Sequence, residues 1–242
     1  MRLLHLSDTH LHELDAVTFH PEIDPAARLD LVLEAVRPYA PFDAIMLTGD
    51  VCDDGSTYGA DGVRDRLAKA YPGVRVIAVP GNHDRTEVVE ATFDPAPVRV
   101  GGWHVIPVST NVLGQTEGEA GPPAEALATA LAEGGDEPLL MLQHHPLRSN
   151  STHEWFVLNE VERLAAAVAD VAATHRPLVL LTGHTHQAFQ SLEGSVHHIG
   201  APSTYYAIEH DGNDWRFADE GTGALIIELG DRAVESVTLI LA

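Results

Sequence analysis

Val74-Arg75-Val76-Ile77-Ala78-Val79-Pro80-Gly81-Asn82-His83-Asp84 begins as an apolar, β-branched run and ends on a turn loaded with chemistry. The run predicts a strand over Val74 to Val79. Glycine and asparagine suit the turn behind it, but a turn has no need of the histidine and aspartate that follow. Asparagine is an unusual metal ligand, and a histidine beside it can serve as a general acid. Four more segments repeat the plan. Asp8-Thr9-His10 follows Leu3 to Leu6, and Gly49-Asp50 follows Ala44 to Leu47. His144-His145-Pro146 follows Leu139 to Leu142, and Gly183-His184-Thr185-His186 follows Leu178 to Leu181. Alone, Asp-x-His or Gly-Asp is only a turn beside a surface histidine. In this order, each behind a strand, they offer a ligand set for two divalent metals sharing a bridging oxygen.

Helical patterns lie between the strands. Pro25 to Tyr39 carries Leu29, Val32, Leu33 and Val36 at helical spacing, and shorter patterns cover Gly62 to Tyr71 and Pro123 to Ala132. Asn159 to His175 is longer and places Val161, Leu164 and Val168 on one face. Strands alternating with helices predict α/β layers, in which ligands gather outside the carboxyl ends of the strands. Further strand runs cover His104 to Val108, Val196 to Ile199, Ala224 to Leu229 and Val234 to Leu241. The last two, joined by Gly230-Asp231, read as a hairpin, so at least one sheet should be mixed. Gly114 to Pro123 reads as an exposed loop. No shift of composition divides the chain, so one domain over 1–242 is expected.

Local chemistry sharpens the expected site. In extended backbone Asp8 and His10 face the same side and reach one ion. Asp50 can bridge two cations, with Gly49 allowing a sharp turn beside the metal. Pro146 holds His145 extended and aims that loop. Cys52 reads as a small apolar core residue rather than a thiolate ligand.

Composition narrows the partners. The chain carries 36 acidic and 14 basic residues, a formal charge of -22. Such a surface repels nucleic acid and anionic lipid, whose binding rests on Lys and Arg. An anionic phosphoryl substrate would then owe its local positive potential to the metals. One cysteine excludes a disulfide framework. The start runs straight into the first motif, leaving no room for a signal segment, and no run approaches the length of a membrane span. A cytoplasmic protein is the default expectation, with no nucleic-acid or membrane partner.

The order Asp-x-His, Gly-Asp, Gly-Asn-His-Asp, His, Gly-His-x-His over residues 8 to 186 resembles the calcineurin-like metallophosphoesterase superfamily. Leu6-Ser7-Asp8-Thr9-His10-Leu11 and Ala201-Pro202-Ser203-Thr204 look most like its class III cyclic nucleotide phosphodiesterase and glycerophosphodiesterase branch. The resemblance implies a four-layer αββα sandwich, two mixed sheets flanked by helices, with the dimetal site at the carboxyl ends of the strands. It implies one metal held by Asp8, His10, Asp50 and His186, and a second by Asp50, Asn82, His144 and His184. His83 would protonate the leaving alkoxide, oriented by Asp53, and His145 stays outside the ligand set. A homodimer is a further hint of the resemblance. The absence of a tyrosine at position 53 and the presence of His10 depart from purple acid phosphatases. Asp54, where phosphoprotein phosphatases carry Arg, departs from that branch.

The expected reaction is phosphodiester hydrolysis by a hydroxide bridging two divalent ions, with Mn, Fe, Zn or Co all compatible with oxygen and nitrogen ligands. A 3′,5′-cyclic nucleotide is the first substrate choice. A glycerophosphodiester or another small phosphoester is the alternative, ahead of a DNA nuclease or a non-catalytic scaffold. By loop position Asn82, Arg85 and Arg148 are candidate substrate contacts, and Tyr205 and Tyr206 candidates to stack on a base.

Overall fold

In the computed structural model residues 1–13, 18, 20–218 and 220–242 are described. β1 (Arg2–Leu6), β2 (Ala44–Thr48) and β3 (Arg75–Val79) are parallel neighbours in a five-stranded sheet. Helix α1 (Pro25–Val36) joins the first pair and α2 (Thr57–Ala70) the second, and α3 (Thr86–Thr92) follows β3. β4 (Val98–Val100) and β5 (Trp103–Pro107) begin a six-stranded sheet. Then come β6 (Gly118–Glu119), α4 (Gly121–Ala132), β7 (Leu139–Leu142), β8 (Leu158–Asn159), α5 (Val161–Ala173) and β9 (Leu178–Thr182). β6 and β8 form a small parallel pair of their own. β10 (Phe189–Glu193) and β11 (Val196–Gly200) complete the larger sheet, and β12 (Ala207–Asp211) and β13 (Asp214–Ala218) form a separate hairpin. β14 (Gly223–Leu229) and β15 (Val234–Leu241) return antiparallel to the first sheet, in the order β15-β14-β1-β2-β3. The second sheet runs β10-β11-β9-β7-β5-β4, parallel in its middle with antiparallel edges. Both sheets are mixed.

Alternation along single strands explains the layers. Ala44 and Met46 of β2, with Leu140 and Leu142 of β7 and Val179 and Leu181 of β9, fill a core between the sheets. Their neighbours face outward. Ile45 and Leu47 pack on Leu29, Val32, Val63 and Leu67 of α1 and α2. Leu139, Met141, Leu178 and Leu180 pack on Leu127, Leu164 and Val171 of α4 and α5. A strand covered on both faces must be apolar at every position, and so these runs lack a polar phase. The four-layer αββα sandwich is thus built.

Some boundaries shift for identifiable reasons. The pattern predicted over Pro25 to Tyr39 stops as an α-helix at Val36 and tightens to a 3-10 turn over Arg37–Tyr39. Pro38 lacks the N–H that would continue it. Its start is set by Asp24, which accepts from Ala26 N and Ala27 N. α2 begins at Thr57, ahead of the predicted Gly62, because Ser56 caps it by accepting from Gly59 N. The expected hairpin at Gly230-Asp231 is the β14–β15 connection. Among the described residues no helix is long and apolar enough to cross a membrane.

Candidate metal centre

Parallel strands place the five motifs at one edge. Asp8 and His10 leave β1, Asp50 leaves β2, and Asn82 and His83 leave β3. His144 leaves β7 in the facing sheet, and His184 and His186 leave β9. The loops are laced together by backbone bonds: Asp8 N to Gly49 O at 3.0 Å, His10 N to Asp50 O at 2.9 Å, and Gly183 N to His144 O at 3.0 Å. Ser203 Oγ donates to the Asp8 carbonyl at 2.8 Å, and so the late Ala201-Pro202-Ser203-Thr204 segment braces the first motif. Gly49 lies at φ +91°, and a Cβ there would fall 2.3 Å from His144 Nδ1.

The expected extended Asp8-x-His10 is not what the backbone does. Asp8 and His10 have φ of 52° and 48°, and Asp50, His184 and His186 have 46°, 70° and 52°. These left-handed conformations cost non-glycine residues energy, though Asp and His tolerate them better than most. The side chains converge because the loops curl around a centre, not because strand geometry aligns them.

Hydrogen bonds fix which ring nitrogens point inward. A backbone carbonyl can only accept, so a ring nitrogen bonded to one must donate, and a neutral imidazole then presents a lone pair at its other nitrogen. His186 Nδ1 donates to Tyr206 O (2.8 Å) and His144 Nδ1 to Thr48 O (2.7 Å), leaving Nε2 of each as an acceptor. His184 Nε2 donates to Trp155 O (2.7 Å), which leaves its Nδ1. His10 Nδ1 donates to Asp53 Oδ1 at 2.8 Å.

The resulting inward atoms face one another. His10 Nε2 lies 3.2 Å from His186 Nε2 and 3.6 Å from Asp50 Oδ2, and His186 Nε2 lies 3.3 Å from Asp8 Oδ1. His144 Nε2 lies 3.3 Å from the same Asp50 Oδ2 and 3.1 Å from Asn82 Oδ1. Burial opposes a charge on His144, but Asp50 outweighs it and pushes its pKa up to about 9, so without metal a proton can sit on its Nε2. The other lone pairs packed together in this buried site repel unless further positive charge lies among them. Asp8, His10, Asp50 and His186 form one group able to hold an ion, and Asp50 also faces the second group. Oxygen and nitrogen donors without sulfur suit first-row divalent ions. The residues fit a pair of cations.

His145 lies close to His144 and His184 but is spent elsewhere. Its Nε2 donates to Thr116 O (3.0 Å) and its Nδ1 accepts from Thr110 Oγ1 (2.7 Å). Cys52 is buried, its Sγ donates to Ser56 O (3.3 Å), and burial pushes its thiol up, so it is no thiolate.

His83 sits at the edge, its side chain 25% exposed, with Nδ1 3.0 Å from Asp53 Oδ1. Burial opposes its charge, but Asp50 and Asp53 outweigh burial and push its pKa up to about 10. Burial likewise works against the Asp53 carboxylate, yet His10 and His83 hold it below the usual range. Asp53 therefore serves two imidazoles, one more than predicted. Asp84 has a role that the motif did not reveal. Its buried carboxylate accepts from Val51 N (3.0 Å), Cys52 N (2.8 Å) and Gly81 N (2.8 Å), fastening the Asp50 loop to the Asn82 loop. Burial and the nearby Asp50 raise its pKa to about 6 against the pull of those N–H groups.

A cavity of about 380 Å³ opens over the cluster. Asp50, Asn82, His83, His184 and His186 make its floor. Of the residues predicted to contact substrate, Asn82 lines it, and Arg85 and Arg148 do not. Arg85 pairs with Glu87, and Arg148 pairs with Glu193 at 2.8 Å on the wall of a separate cavity beside α5. In so acidic a chain each guanidinium finds a carboxylate nearer than the metal site. Tyr206 lines the cavity, whereas Tyr205 is buried with its hydroxyl donating to His20 O. Trp155 and Phe156, in a single 3-10 turn over Glu154–Phe156, and Trp215 and Phe217, on the short β13, also line it and were not singled out by sequence.

The sequence profile described as calcineurin-like phosphoesterase matches residues 1–188. A 3′,5′-cyclic adenosine monophosphate phosphodiesterase, CpdA, of Pseudomonas aeruginosa is 31% identical over 211 residues, 84% of this chain and 75% of that protein. A cAMP/cGMP dual specificity phosphodiesterase of Mycobacterium tuberculosis is 32% identical over 205 residues, 76% of this chain and 61% of the relative. Among solved structures, a dimetal phosphatase from Danio rerio superposes with a TM-score of 0.59, covering 99% of this chain and 98% of its own at 13% identity. A purple acid phosphatase from yellow lupin gives 0.60 over 96% of this chain and 49% of its own, also at 13% identity. These two structures share the fold.

Proposed function

The chain belongs to the calcineurin-like phosphoesterase family, and from that premise we propose that it hydrolyses 3′,5′-cyclic nucleotides. It is a metal-dependent phosphoester hydrolase, with the whole of 1–242 taken as one phosphoesterase domain. The observation that carries the reading is the Asp50 carboxylate, whose Oδ2 faces His10 Nε2 on one side and His144 Nε2 on the other. We assign Asp8, His10, Asp50 and His186 to one ion, and Asp50, Asn82, His144 and His184 to the other. Substrate choice is supported by relatives named for cyclic nucleotide hydrolysis, 25–32% identical to this chain.

Two divalent ions, when bound, supply Lewis-acid charge for phosphoryl oxygens and lower the pKa of water. The chain's own residues do the rest. His83, raised toward its charged form by Asp50 and Asp53 despite its burial, carries the proton that the departing ester oxygen needs. Asp53 holds that ring by Nδ1, leaving Nε2 for the substrate. Water adds to phosphorus and gives up one proton to solvent, one P–O ester bond breaks, the leaving oxygen takes its proton from His83, and His83 regains a proton from solvent. Thr48, Trp155 and Tyr206 fix ring orientations through their carbonyls, so the donor set is organised before a substrate arrives.

The test is metal-stripped protein with Mn added back, assayed on bis(p-nitrophenyl) phosphate, p-nitrophenyl phosphate and 3′,5′-cAMP, with Asn82→Ala as control. Turnover of both diesters that needs metal and is lost in the variant supports the reading. Turnover of the monoester alone, or of neither diester with Mn, Fe, Zn or Co, refutes it.

A further inference from the structure

The hairpin β12–β13 lies beyond residues 1–188, the part matched by the family profile. Its Ile208, Trp215 and Phe217 nonetheless line the cavity over the metal ligands, together with Trp155, Phe156 and Tyr206. The aromatic rings form one wall. Centroids of Trp155 and Trp215 are 5.7 Å apart, Trp215 and Phe217 5.5 Å, and Phe217 and Tyr206 5.3 Å. Tyr206 in turn lies 4.4 Å from His186, and Phe156 lies 5.5 Å from His184. The wall therefore runs from the metal ligands to the mouth, where Trp155 is 42% and Phe217 41% exposed.

Two features say what such a wall is for. It is held in place without a ligand: Thr152 N donates to Gly212 O at the hairpin tip (2.9 Å), and His210 Nε2 donates to Thr185 O (2.8 Å). And among the described residues the cavity lining holds no lysine or arginine. Apart from the ions and His83, no cationic side chain of the lining meets an anionic ester, so an uncharged part of the molecule is left to add affinity. Large aromatic faces left partly wet beside a polar floor favour a flat, polarisable partner.

We propose that this wall is a nucleobase subsite. The base stacks on Trp215 and Phe217 with Trp155 at the rim, while the phosphodiester meets the floor of Asp50, Asn82, His83, His184 and His186. The assignment rests on the cyclic nucleotide reading above and extends it. Stacking tolerates any base, and a purine, having the larger face, is bound more tightly than a pyrimidine. Affinity for the base thus comes largely from the C-terminal hairpin, and the chemistry from residues 1–188.

The test uses manganese-loaded protein with Trp215→Leu and Phe217→Leu combined, which removes both rings and keeps the side chains apolar. The KM for 3′,5′-cAMP should rise roughly five- to hundred-fold, the range that base stacking supplies, with kcat within about three-fold. The inhibition constant of inorganic phosphate should stay within about two-fold, since the floor is untouched. A KM for cAMP within about two-fold of the parent in a folded variant overturns the subsite. Should the double variant not fold, Phe217→Leu alone, at an exposed position, carries the same comparison. A second readout does not need turnover. Trp155 and Trp215 are two of three tryptophans, and Trp103 is fully buried between the sheets. Adenosine should quench the tryptophan emission of the parent and not that of a Trp155→Leu/Trp215→Leu protein. If cAMP is not hydrolysed at all, the function reading fails separately, and this quench decides the subsite. Its absence in the parent overturns it.

Discussion

Asp84 offers the sharpest test of how the site is built, because it touches the loops that carry the ligands and none of the inward-facing ligand atoms. Its carboxylate accepts three backbone N–H groups, from Val51, Cys52 and Gly81. The residue is 1% exposed, so water does not replace a lost partner cheaply. Hydrogen bonds to a charged acceptor are worth ~1.5–3 kcal/mol each. Asp84→Asn keeps the shape but turns one oxygen into a donor. With the amide nitrogen in the Oδ1 place, Cys52 N–H meets an N–H and the two remaining bonds become neutral. The expected loss is ~2–4 kcal/mol, and for a chain of this size that lowers the melting temperature by about 4–16 °C. Asp84→Ala, which abandons all three bonds, should cost more. Because Val51 follows Asp50 and Gly81 precedes Asn82, manganese affinity should weaken about 10- to 100-fold in calorimetric titration. The stability loss must appear in metal-free protein, since a fastening role needs no ion. A metal-free melting temperature within about 2 °C of the parent, with unchanged manganese affinity, would refute the reasoning.

Other expectations follow from the same geometry. His83→Ala should slow cAMP hydrolysis by about 10²–10⁴-fold but bis(p-nitrophenyl) phosphate far less, because nitrophenolate departs without a proton; equal losses on both would remove its role as acid. Arg148→Ala should leave KM and kcat for cAMP within about two-fold, since its partner is Glu193 and not the substrate cavity; a large KM increase would bring Arg148 back to the site. His198, buried on β11 against Thr182 Oγ1, has its pKa lowered to about 4 by burial, with Arg148 and His197 adding to the effect. Above pH 6.5 it is neutral folded or unfolded and contributes nothing, while below that value the unfolded chain takes up the proton first. Stability should therefore fall by up to ~1.4 kcal/mol per pH unit from this group as pH drops from 6.5 toward 4. Urea melts of a His198→Leu protein should show that slope reduced by about one proton; an identical slope would clear His198 of the effect.

How much of this was legible in the sequence differs by element. Strands buried on both faces, such as Leu139–Leu142 and Leu178–Leu181, announce themselves, because every residue must be apolar. The ligand positions were legible for a topological reason: motifs that follow parallel strands must emerge at one edge. Which backbone conformation brings Asp8 and His10 together was not, since left-handed turns at Asp and His leave no mark in a pattern of hydrophobicity. Asp84 lay in plain view within the motif, yet its three partners belong to other turns and exist only after folding. The aromatic hairpin is illegible for another reason: β13 does alternate, Trp215 and Phe217 against Asp214 and Arg216, but five residues are too few to stand out and nothing in them says that the aromatic face meets the metal site. Arg148 was misplaced because nearness in sequence to His144 says nothing about which carboxylate a long side chain will reach.

The left-handed backbone at Asp8, His10, Asp50, His184 and His186 has a consequence for anyone evolving this protein. Left-handed geometry costs a residue with a Cβ on the order of 1 kcal/mol, and glycine escapes that cost. At Glu160 and His175, exposed and equally left-handed with φ of 54° and 57°, glycine would only relax the chain, and a library screened for resistance to heat would collect it there. At the five ligand positions glycine would also empty a buried site and forfeit the side chain's bonds, such as His184 N to Asp8 and His186 Nδ1 to Tyr206 O, which together outweigh the relaxation. Robustness can therefore be evolved at the two surface turns without touching the metal site.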